Sequence, residues 1–311
     1  MSLYGRVLKK LLAVKEHKGC CGNSRVLGAN AFRLVANADP SRTLTLRNEF
    51  GRDMKRRFNA LARDIRKTVA DHDALGLSDS TAIAIQEAAP PKAFDFRRSD
   101  QKVRGFMTWL NKQEAQGLLT ITTMPDRLNG GLMQAPWANK YVQTSYRKGI
   151  IRGLSELKGA GYRVSESNDM PGRSGFSSGF IAPVHADRLA LLYTRTFSEL
   201  EGITRAMDMR ISRTLAQGMA DGVNPNVMAR NLVRDVNFSM RRAIVMARTE
   251  VIRAHHQANI QEYRNAGVLG VRVIVEWMTA GDFRVCRRCK SLNKKRFTLD
   301  EIDGMIPLHP L

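Results

Sequence analysis

The sequence predicts a mainly α-helical protein with a small strand-containing element near its C-terminal end. Apolar residues recur at helical spacing through several long segments, and one segment, VRVIVEWMT (271–279), alternates and is rich in β-branched residues. Hydrophobic residues make up 43% of the 311 positions, enough to build a core. A chain of this length has room for two domains.

A composition shift in the middle of the chain predicts where those domains meet. The stretch YRVSESNDMPGRSGFSSGFIAPV, which begins at Tyr162, has no period and is rich in Ser, Gly and Pro. Residues 162–185 are therefore predicted to be a linker or loop between a helical N-terminal domain (47–161) and a C-terminal domain (186–311). Residues 1–46 are predicted to be a basic N-terminal arm.

The first helix is predicted from Arg47 to a stop at Gly76. One face is apolar at spacings of three and four, with Phe50, Met54, Phe58, Leu61, Ile65 and Val69. The other face is cationic, with Arg52, Lys55, Arg56, Arg63, Arg66 and Lys67. The cationic face has two interpretations, a solvated helix surface or a stripe that faces DNA phosphates.

The rest of the N-terminal domain is predicted from turn and cap signals. The segments in order are a connection over 78–98, a helix capped by Ser99 and ending near Gly117, an irregular stretch over 118–135, and a helix from Pro136 to about Gly159.

The C-terminal domain is predicted to begin with a helix of about thirty residues, roughly 45–50 Å long. The segments in order are that helix from Leu189 to Met219, a short helix from Asn224-Pro225 to about Val236, a helix capped by Ser239 and ending at Gly267, the strand 271–279, and a short helix over Leu299–Met305 begun by Thr298.

The chain is strongly basic, with 50 Lys and Arg against 29 Asp and Glu and a net charge of +21. Such an excess makes nucleic acid the expected partner. The charge is spread, with net values of +6 over 1–46, +8 over 47–161, zero over 162–185 and +7 over 186–311. This spread favours a protein that lies against DNA phosphates over a compact reader of base sequence.

Cysteine usage and hydropathy predict synthesis in a reducing cytoplasm and no membrane partner. Four cysteines are too few for a disulfide scaffold, and the adjacent Cys20 and Cys21 are expected to be thiols. Lys9-Lys10 interrupts the apolar run near the N-terminus, so no signal peptide is expected. No run of about 18 apolar residues is present.

No enzyme is expected from the motifs. The chain contains no P-loop, GxSxG or HExxH motif, and the adjacent His255 and His256 diverge on a helix by about 100°. Arg248 and Glu250 are expected to tie their helix to its neighbours instead of doing acid–base chemistry. The alternative, a DNA-binding accessory enzyme of the nuclease or recombinase type, would need a carboxylate cluster for metal ions.

The stretch DFRVCRRCKSL carries a Cys-x-x-Cys pair, Cys286 and Cys289. Such a pair is half of a structural zinc site, with His309 as a candidate third ligand, or else two thiols. The neighbouring arginines are expected to lower the thiol pKa values. The absence of a βαβ pattern argues against a redox motif, and the zinc and thiol interpretations stay open.

Three blocks in fixed order carry a family resemblance: MARTEVIRAHHQAN (246–259), VEWMTAGDFRVCRRC (275–289) and FTLDEIDGMIPLHP (297–310). They closely resemble the phage head-morphogenesis family, the minor head proteins named after the Mu F-like domain, from Asp187 to Leu311. The motif positions carried over, as structural residues, are Arg248, Thr249, Glu250, Trp277, Asp282, Cys286, Cys289, Pro307, His309 and Pro310.

This sequence differs from the family pattern at the end of the motif. In the family a Cys-Arg-Cys usually follows the His-Pro, whereas here Leu311 follows Pro310. The resemblance therefore implies a cysteine and histidine cluster without its final pair. A complete zinc site at Cys286, Cys289 and His309 is not expected within these residues.

The resemblance implies a C-terminal Mu F-like α+β domain with long helices and a small strand element. It also implies a non-enzymatic virion minor head protein that associates with the portal protein and the major capsid protein, in several copies near the portal vertex of the phage head. The expected role is head assembly and DNA packaging or delivery, beside packaged double-stranded DNA bound without sequence preference. A zinc-ribbon adaptor is the remaining alternative.

Overall fold

A computed structural model describes residues 7–15 (as backbone), 41–77, 96–126, 131–161, 183–268, 271–279 and 285–308. The helices in these ranges are α1 (Leu44–Arg66), α2 (Phe96–Gly117), α3 (Asn139–Gly159), α4 (Pro183–Ala220), α5 (Pro225–Val268), α6 (Arg287–Leu292) and α7 (Leu299–Ile302). The strands are β1 (Val7–Lys15), β2 (Ile121–Pro125), β3 (Leu132–Pro136), β4 (Val271–Thr279) and β5 (Arg296–Phe297). The fold is mainly α, as predicted, and the described strands form small antiparallel sheets.

Helix α5 is the axis around which the described residues pack. Its N-terminal half lies in a large hydrophobic cluster with α1, α2 and α4, and its C-terminal half packs against α3 and the sheet that contains β4. Residues of the ranges predicted as two domains therefore share one hydrophobic core. At 44 residues, α5 is about 66 Å long.

The apolar face predicted for the first helix is buried in this core. Phe50, Met54 and Phe58 have no exposed side-chain surface and pack under α5. Helix α1 ends at Arg66 and continues into one π-helical turn, Lys67–Asp71. The chain then turns at Gly76, whose φ of +58° is easily adopted only by glycine.

Helix α5 corrects the prediction of two separate helices in its range. Ser239 lies inside the helix, 3% exposed, instead of capping its start. Val236 and Ala243 on either side are fully buried, so the backbone gains more from continuing between α1 and α4 than from a capped break.

Two further boundaries differ from the sequence prediction. Helix α2 begins at Phe96, so Ser99 lies in its first turn and is not the N-cap. The stretch predicted as irregular forms a hairpin in which Thr122 pairs with Ala135 and Met124 with Met133. Proline is tolerated at position 136 because it ends β3, where its nitrogen faces away from β2.

Strand β4 is flanked by β1 and β5 in an antiparallel sheet of order β1–β4–β5. All nine residues of β1 pair with β4, from Val7 opposite Thr279 to Lys15 opposite Val271. The sequence pattern did not predict β1. Helix α7 begins at the predicted cap, where Thr298 and Glu301 form a capping box.

Helix α4 begins at Pro183 and so includes the last three residues of the predicted linker. The remainder of the predicted linker and most of the connection over 78–98 lie outside the described residues. Within the described ranges, no helix combines the length and the apolar character that crossing a bilayer requires.

Candidate functional site

The six cations predicted on α1 are all exposed, in a row about 22 Å long. Five of them line a groove of about 650 Å³ between α1 and α5, together with Asn59, Ala62, Val233 and Asn237. Those five are Arg52, Lys55, Arg56, Arg63 and Arg66. Lys67 follows them in the π-helical turn. The structure thus gathers one predicted set of residues along a single groove.

Asp53, a carboxylate of α1 that pairs with Arg56 of this row, also has partners on α3. It accepts hydrogen bonds from Arg56 and from the Tyr141 hydroxyl, and Lys140 Nζ lies 3.2 Å from its Oδ2. Although partial burial raises the pKa of Asp53, the hydrogen bonds from Tyr141 and Lys140 outweigh burial and hold it below its usual value. Asp53 therefore remains ionised. Arg56 is the member of the row with which it forms an ion pair.

The sequence analysis missed three arginines that extend the row onto α5. Arg230, Arg234 and Arg241 are exposed and lie one helical turn from Val233 or Asn237, on the same flank of α5. No described carboxylate forms an ion pair with any of the three. The three arginines are spaced by four and seven residues, with no acidic residue between them on that flank. This spacing could have indicated a cationic helix face, but the sequence analysis divided the range into two helices.

An aromatic side chain borders this flank. Phe238 on α5 is 43% exposed, and the Arg210 guanidinium of α4 lies 3.9 Å from the centre of its ring. Arg210 and the ring of Phe238 form a cation–π contact, which holds the guanidinium in place. The cationic surface therefore continues from α1 across α5 to α4.

The predicted motif residues on α5 have structural surroundings. Glu250 is 2% exposed, and its Oε1 accepts from Arg195 Nε of α4 at 3.3 Å and from Arg253 Nε at 3.2 Å. Thr249 is buried and donates to the Val245 carbonyl at 2.8 Å. Arg248 is half-buried on the same turn. Glu250 joins α5 to α4 and is closed to solvent.

A second buried polar contact joins α3, α4 and α5, and sequence reasoning missed it. His185 of α4 is 1% exposed; its Nδ1 lies 2.9 Å from the Tyr146 hydroxyl and its Nε2 lies 3.0 Å from Glu262 Oε1. Burial raises the pKa of Tyr146. His185 fell within the predicted linker, where no pattern pointed to a buried histidine.

Two carboxyl groups meet between α2 and α4. Glu114 is 4% exposed and hydrogen-bonds Asp208. Burial raises the pKa of Glu114 far above its usual 4.5, and the Asp208 charge raises it further. Burial also raises the pKa of Asp208. The raised pKa of Glu114 favours its protonated form at neutral pH, in which it can donate a hydrogen bond to Asp208.

The C-terminal motif positions surround a small core beneath β4. Trp277 is fully buried, its ring edge-on to Phe297 at 6.3 Å between ring centres. Pro307 follows Ile306, which packs in the same core. Asp282, His309 and Pro310 lie outside the described residues.

The Cys286 and Cys289 pair begins the short helix α6, and neither cysteine is in a disulfide. Cys286 Sγ accepts from the Cys289 backbone N–H at 3.3 Å, and Cys289 is 1% exposed in the core beneath β4. Burial raises the pKa of the Cys289 thiol to about 12, which corrects the expectation that nearby arginines lower it.

Zinc would need more ligands than this pair supplies. Among the described residues, no group of three or more His, Cys, Asp or Glu side chains is placed to hold a metal ion. Two sulfurs make half of a tetrahedral site. The described donor set therefore does not fit a complete zinc centre, and His309, the predicted third ligand, is outside it.

Comparison with protein families gives a match in the C-terminal part of the chain. Residues 209–310 match the family model described as Phage Mu protein F like protein. This C-terminal third of the chain is similar to Mu F-like phage head morphogenesis proteins. The match confirms the resemblance seen in the sequence and begins within α4, later than Asp187. Separate comparisons with curated proteins and with solved structures each found no match.

The Mu F-like range contains the end of α4, all of α5 and the elements from β4 to α7. The cationic groove lies at its border, since α5 belongs to the range and α1 precedes it. Neither β1 nor the row on α1 is part of the matched range.

Proposed function

We propose that this chain is a non-enzymatic minor head protein that contacts packaged double-stranded DNA through the groove between α1 and α5. The supporting observation is the row of exposed cations along that groove, in a chain of net charge +21. Such a surface attracts a polyanion without reading its sequence.

The geometry suits phosphate contact in particular. The row on α1 is about 22 Å long, which is the rise of six or seven base pairs. Five of the nine residues that line the groove are arginines and lysines, which favours contact with phosphates. Each phosphate neutralised would release condensed counterions, so binding should weaken steeply with added salt.

A role between the portal protein and the major capsid protein follows from the long helices. Helices α4 and α5, of 38 and 44 residues, extend roughly 57 Å and 66 Å. A body of these dimensions can contact two neighbours at once while the cationic groove faces DNA. We place several copies near the portal vertex, after synthesis in the host cytoplasm, acting in head assembly and in DNA packaging or delivery.

The surroundings of the polar motif residues support a non-enzymatic role. Glu250 is buried and bonded to Arg195 and Arg253, and His255 and His256 are 6% and 5% exposed. Catalysis needs reactive groups that a substrate can reach. Glu250 instead ties α5 to α4 through Arg195.

Mass spectrometry of purified, DNA-filled particles tests the proposal. We expect peptides of this chain at a small fraction of the abundance of the major capsid protein. A co-expressed portal protein should co-purify with it. Absence from both filled particles and empty precursor heads would contradict a head role, and failure to retain the portal protein would contradict the proposed position.

A further inference from the structure

A second group of cations lies on α6 and on the turn that follows it, beside the C-terminal end of α5. Residues 284–296 contain seven arginines and lysines and no acidic residue. Five of the described cations are exposed and form no ion pair with a described residue. They are Arg287, Arg288, Lys290, Lys294 and Lys295. These five residues form the C-terminal basic patch, which is separate from the groove between α1 and α5.

The four carboxylates described between residues 271 and 308 have partners outside this patch. Arg264 of α5 donates to Asp300 at 2.9 Å and to Asp303 at 2.8 Å, both from the α7 region. Glu276 of β4 pairs with Arg296, with 3.6 Å between Oε2 and Nε. The fourth is the glutamate of the α7 capping box. The patch therefore keeps its positive charge available for a ligand.

Contacts with β4 hold the patch in place. Cys289 is 1% exposed and anchors α6 in the core beneath β4. The backbone N–H of Lys294 donates to the Trp277 carbonyl at 2.6 Å, and the Trp277 N–H donates to the Lys295 carbonyl at 2.8 Å. Because the backbone is fixed by these bonds, little backbone order is lost when a ligand binds to the side chains.

Lys294 has a backbone conformation that is unfavourable for lysine. Its φ of +66° is a left-handed value that glycine or asparagine adopts more easily. Glycine at this position would relieve the strain but would remove one cation of the patch. A strained residue of this kind supports a role for its side chain.

The chemistry of the patch favours phosphates over protein as the ligand. Among residues 285–308, no large apolar side chain is exposed. Protein interfaces are centred on apolar and aromatic side chains and are depleted in lysine. Interfaces with DNA are strongly cationic, and arginine and lysine bind phosphate oxygens through charge-assisted hydrogen bonds. Double-stranded DNA, the ligand proposed for the groove, therefore fits the patch as well.

The patch and the groove lie along different halves of α5. Asn237 of α5 lines the groove, whereas Arg264 of α5 binds α7, close to the patch. The helix between these two residues is roughly 40 Å long. That length equals the rise of about twelve base pairs. A duplex shorter than this cannot easily contact both surfaces.

We propose that the C-terminal basic patch is a second phosphate-binding surface and that one chain bridges two segments of double-stranded DNA. The inference rests on the proposed function in taking DNA as the neighbour of the chain, but it depends on different residues. A protein with one phosphate-binding surface can only coat DNA, whereas two surfaces roughly 40 Å apart can hold separate segments together.

Capture of one duplex by another tests the proposal with the full chain. A biotinylated duplex of about ten base pairs on streptavidin beads is loaded with the chain in about 50 mM NaCl, and a fluorescent duplex of the same length is added. We expect the fluorescent duplex to be retained. The variant Lys290→Glu, Lys294→Glu should lower retention at least tenfold while the chain still binds the bead-bound duplex through the groove.

The matched control is Lys112→Glu, Lys148→Glu, which changes the net charge by the same amount at exposed lysines of α2 and α3. It should change retention less than twofold. A further variant, Lys294→Gly, separates lost binding from lost folding. It should lower retention although its thermal unfolding midpoint is no lower than that of the unmodified chain, because glycine suits the left-handed backbone.

Three results would overturn the inference and leave the groove in place. They are a chain that binds the first duplex but does not retain the second, a Lys290→Glu, Lys294→Glu chain that retains it like the unmodified one, and an equal loss in the control. Failure of the unmodified chain to bind any duplex would contradict the proposed function and this inference together.

Discussion

Gly149 of α3 lies against the backbone of His255 of α5, so closely that a Cβ at position 149 would be 2.2 Å from the His255 carbonyl oxygen. The same Cβ would be 2.7 Å from Ala258 Cβ. One turn later, a Cβ on Gly153 would be 2.9 Å from Glu262 Cβ. The two helices touch at a glycine stripe that leaves no room for a methyl group.

Gly149→Ala should therefore destabilise the fold although alanine favours helix. The helix preference of about 1 kcal/mol is outweighed by overpacking, which costs about 1–3 kcal/mol or more against rigid backbone. Urea unfolding measures the difference. Gly202→Ala in α4, where nothing lies within 4 Å, is the control and should be neutral or stabilising. Equal stabilities of the two variants would contradict the close contact.

Removing three cations from the groove should flatten the salt dependence of DNA binding. The variant Arg52→Gln, Arg63→Gln, Arg66→Gln should lower the slope of log K against log salt by about 3, whatever the DNA sequence. Fluorescence anisotropy with a short duplex between 50 and 300 mM NaCl measures it. Lys112→Gln, Lys148→Gln, Arg272→Gln removes the same charge from other exposed positions. Equal slopes for the two triple variants would disprove the groove as the contact surface.

Substituting His185 tests whether residue 185 is packed in the core, as in the structure, or lies in an exposed linker, as the sequence predicts. His185→Ala removes one partner of Glu262 and one of the Tyr146 hydroxyl and opens a cavity, at a cost of about 2–4 kcal/mol. His72→Ala, at an exposed histidine, should change the free energy of unfolding by less than about 0.5 kcal/mol. A similar small effect at both positions would mean that residue 185 is not packed.

Raising the pH should destabilise the fold through Glu114. Its pKa is raised in the folded chain, so above pH 4.5 the folded state keeps a proton that the unfolded state releases. This contribution is complete below the unfolded pKa and is lost as pH rises toward the folded one, by at most about 1.4 kcal/mol per pH unit. Urea midpoints at pH 5.5 and 8.5 should differ less in Glu114→Gln than in the unmodified chain.

The matched control for this pH dependence is Glu199→Gln, at an exposed carboxyl group that pairs with Arg195. It should keep the pH dependence of the unmodified chain. If Glu114→Gln kept it too, the protonated form of Glu114 at neutral pH would be refuted.

Alkylation should distinguish a protonated Cys289 from a metal-held thiolate. With a pKa of about 12, the folded chain at pH 8 should react with iodoacetamide at Cys289 roughly a thousandfold more slowly than in urea. Peptide mass spectrometry resolves Cys289 from Cys286. Labelling of both cysteines that accelerates only after a chelator is added would indicate a bound metal instead.

The sequence predicted the elements whose pattern is local and strong. The apolar spacing of α1 predicts its buried face, and apolar residues alternate along β4. Thr298 and Glu301 predict the start of α7. The family was predictable because three ordered blocks specify it. In each case the information lies within one short segment of chain.

What the sequence could not predict depends on distant partners. Strand β1 exists because β4 offers nine pairing positions, and α5 continues past Ser239 because α1 and α4 cover it from both sides. The arginines that α5 adds beside the groove could not be predicted either, because they lie on one flank only if α5 is a single helix. Long-range contacts of this kind leave no period in the chain.

Because β1 pairs with β4, the sheet that contains them cannot form until both strands have left the ribosome. Val7 emerges early and its partner Thr279 emerges some 270 residues later. At about 5–20 residues per second, the first strand waits roughly 15 to 55 s for its neighbour. During that interval a short basic strand is exposed to solvent and to chaperones, and the sheet closes only after residues 271–279 have emerged.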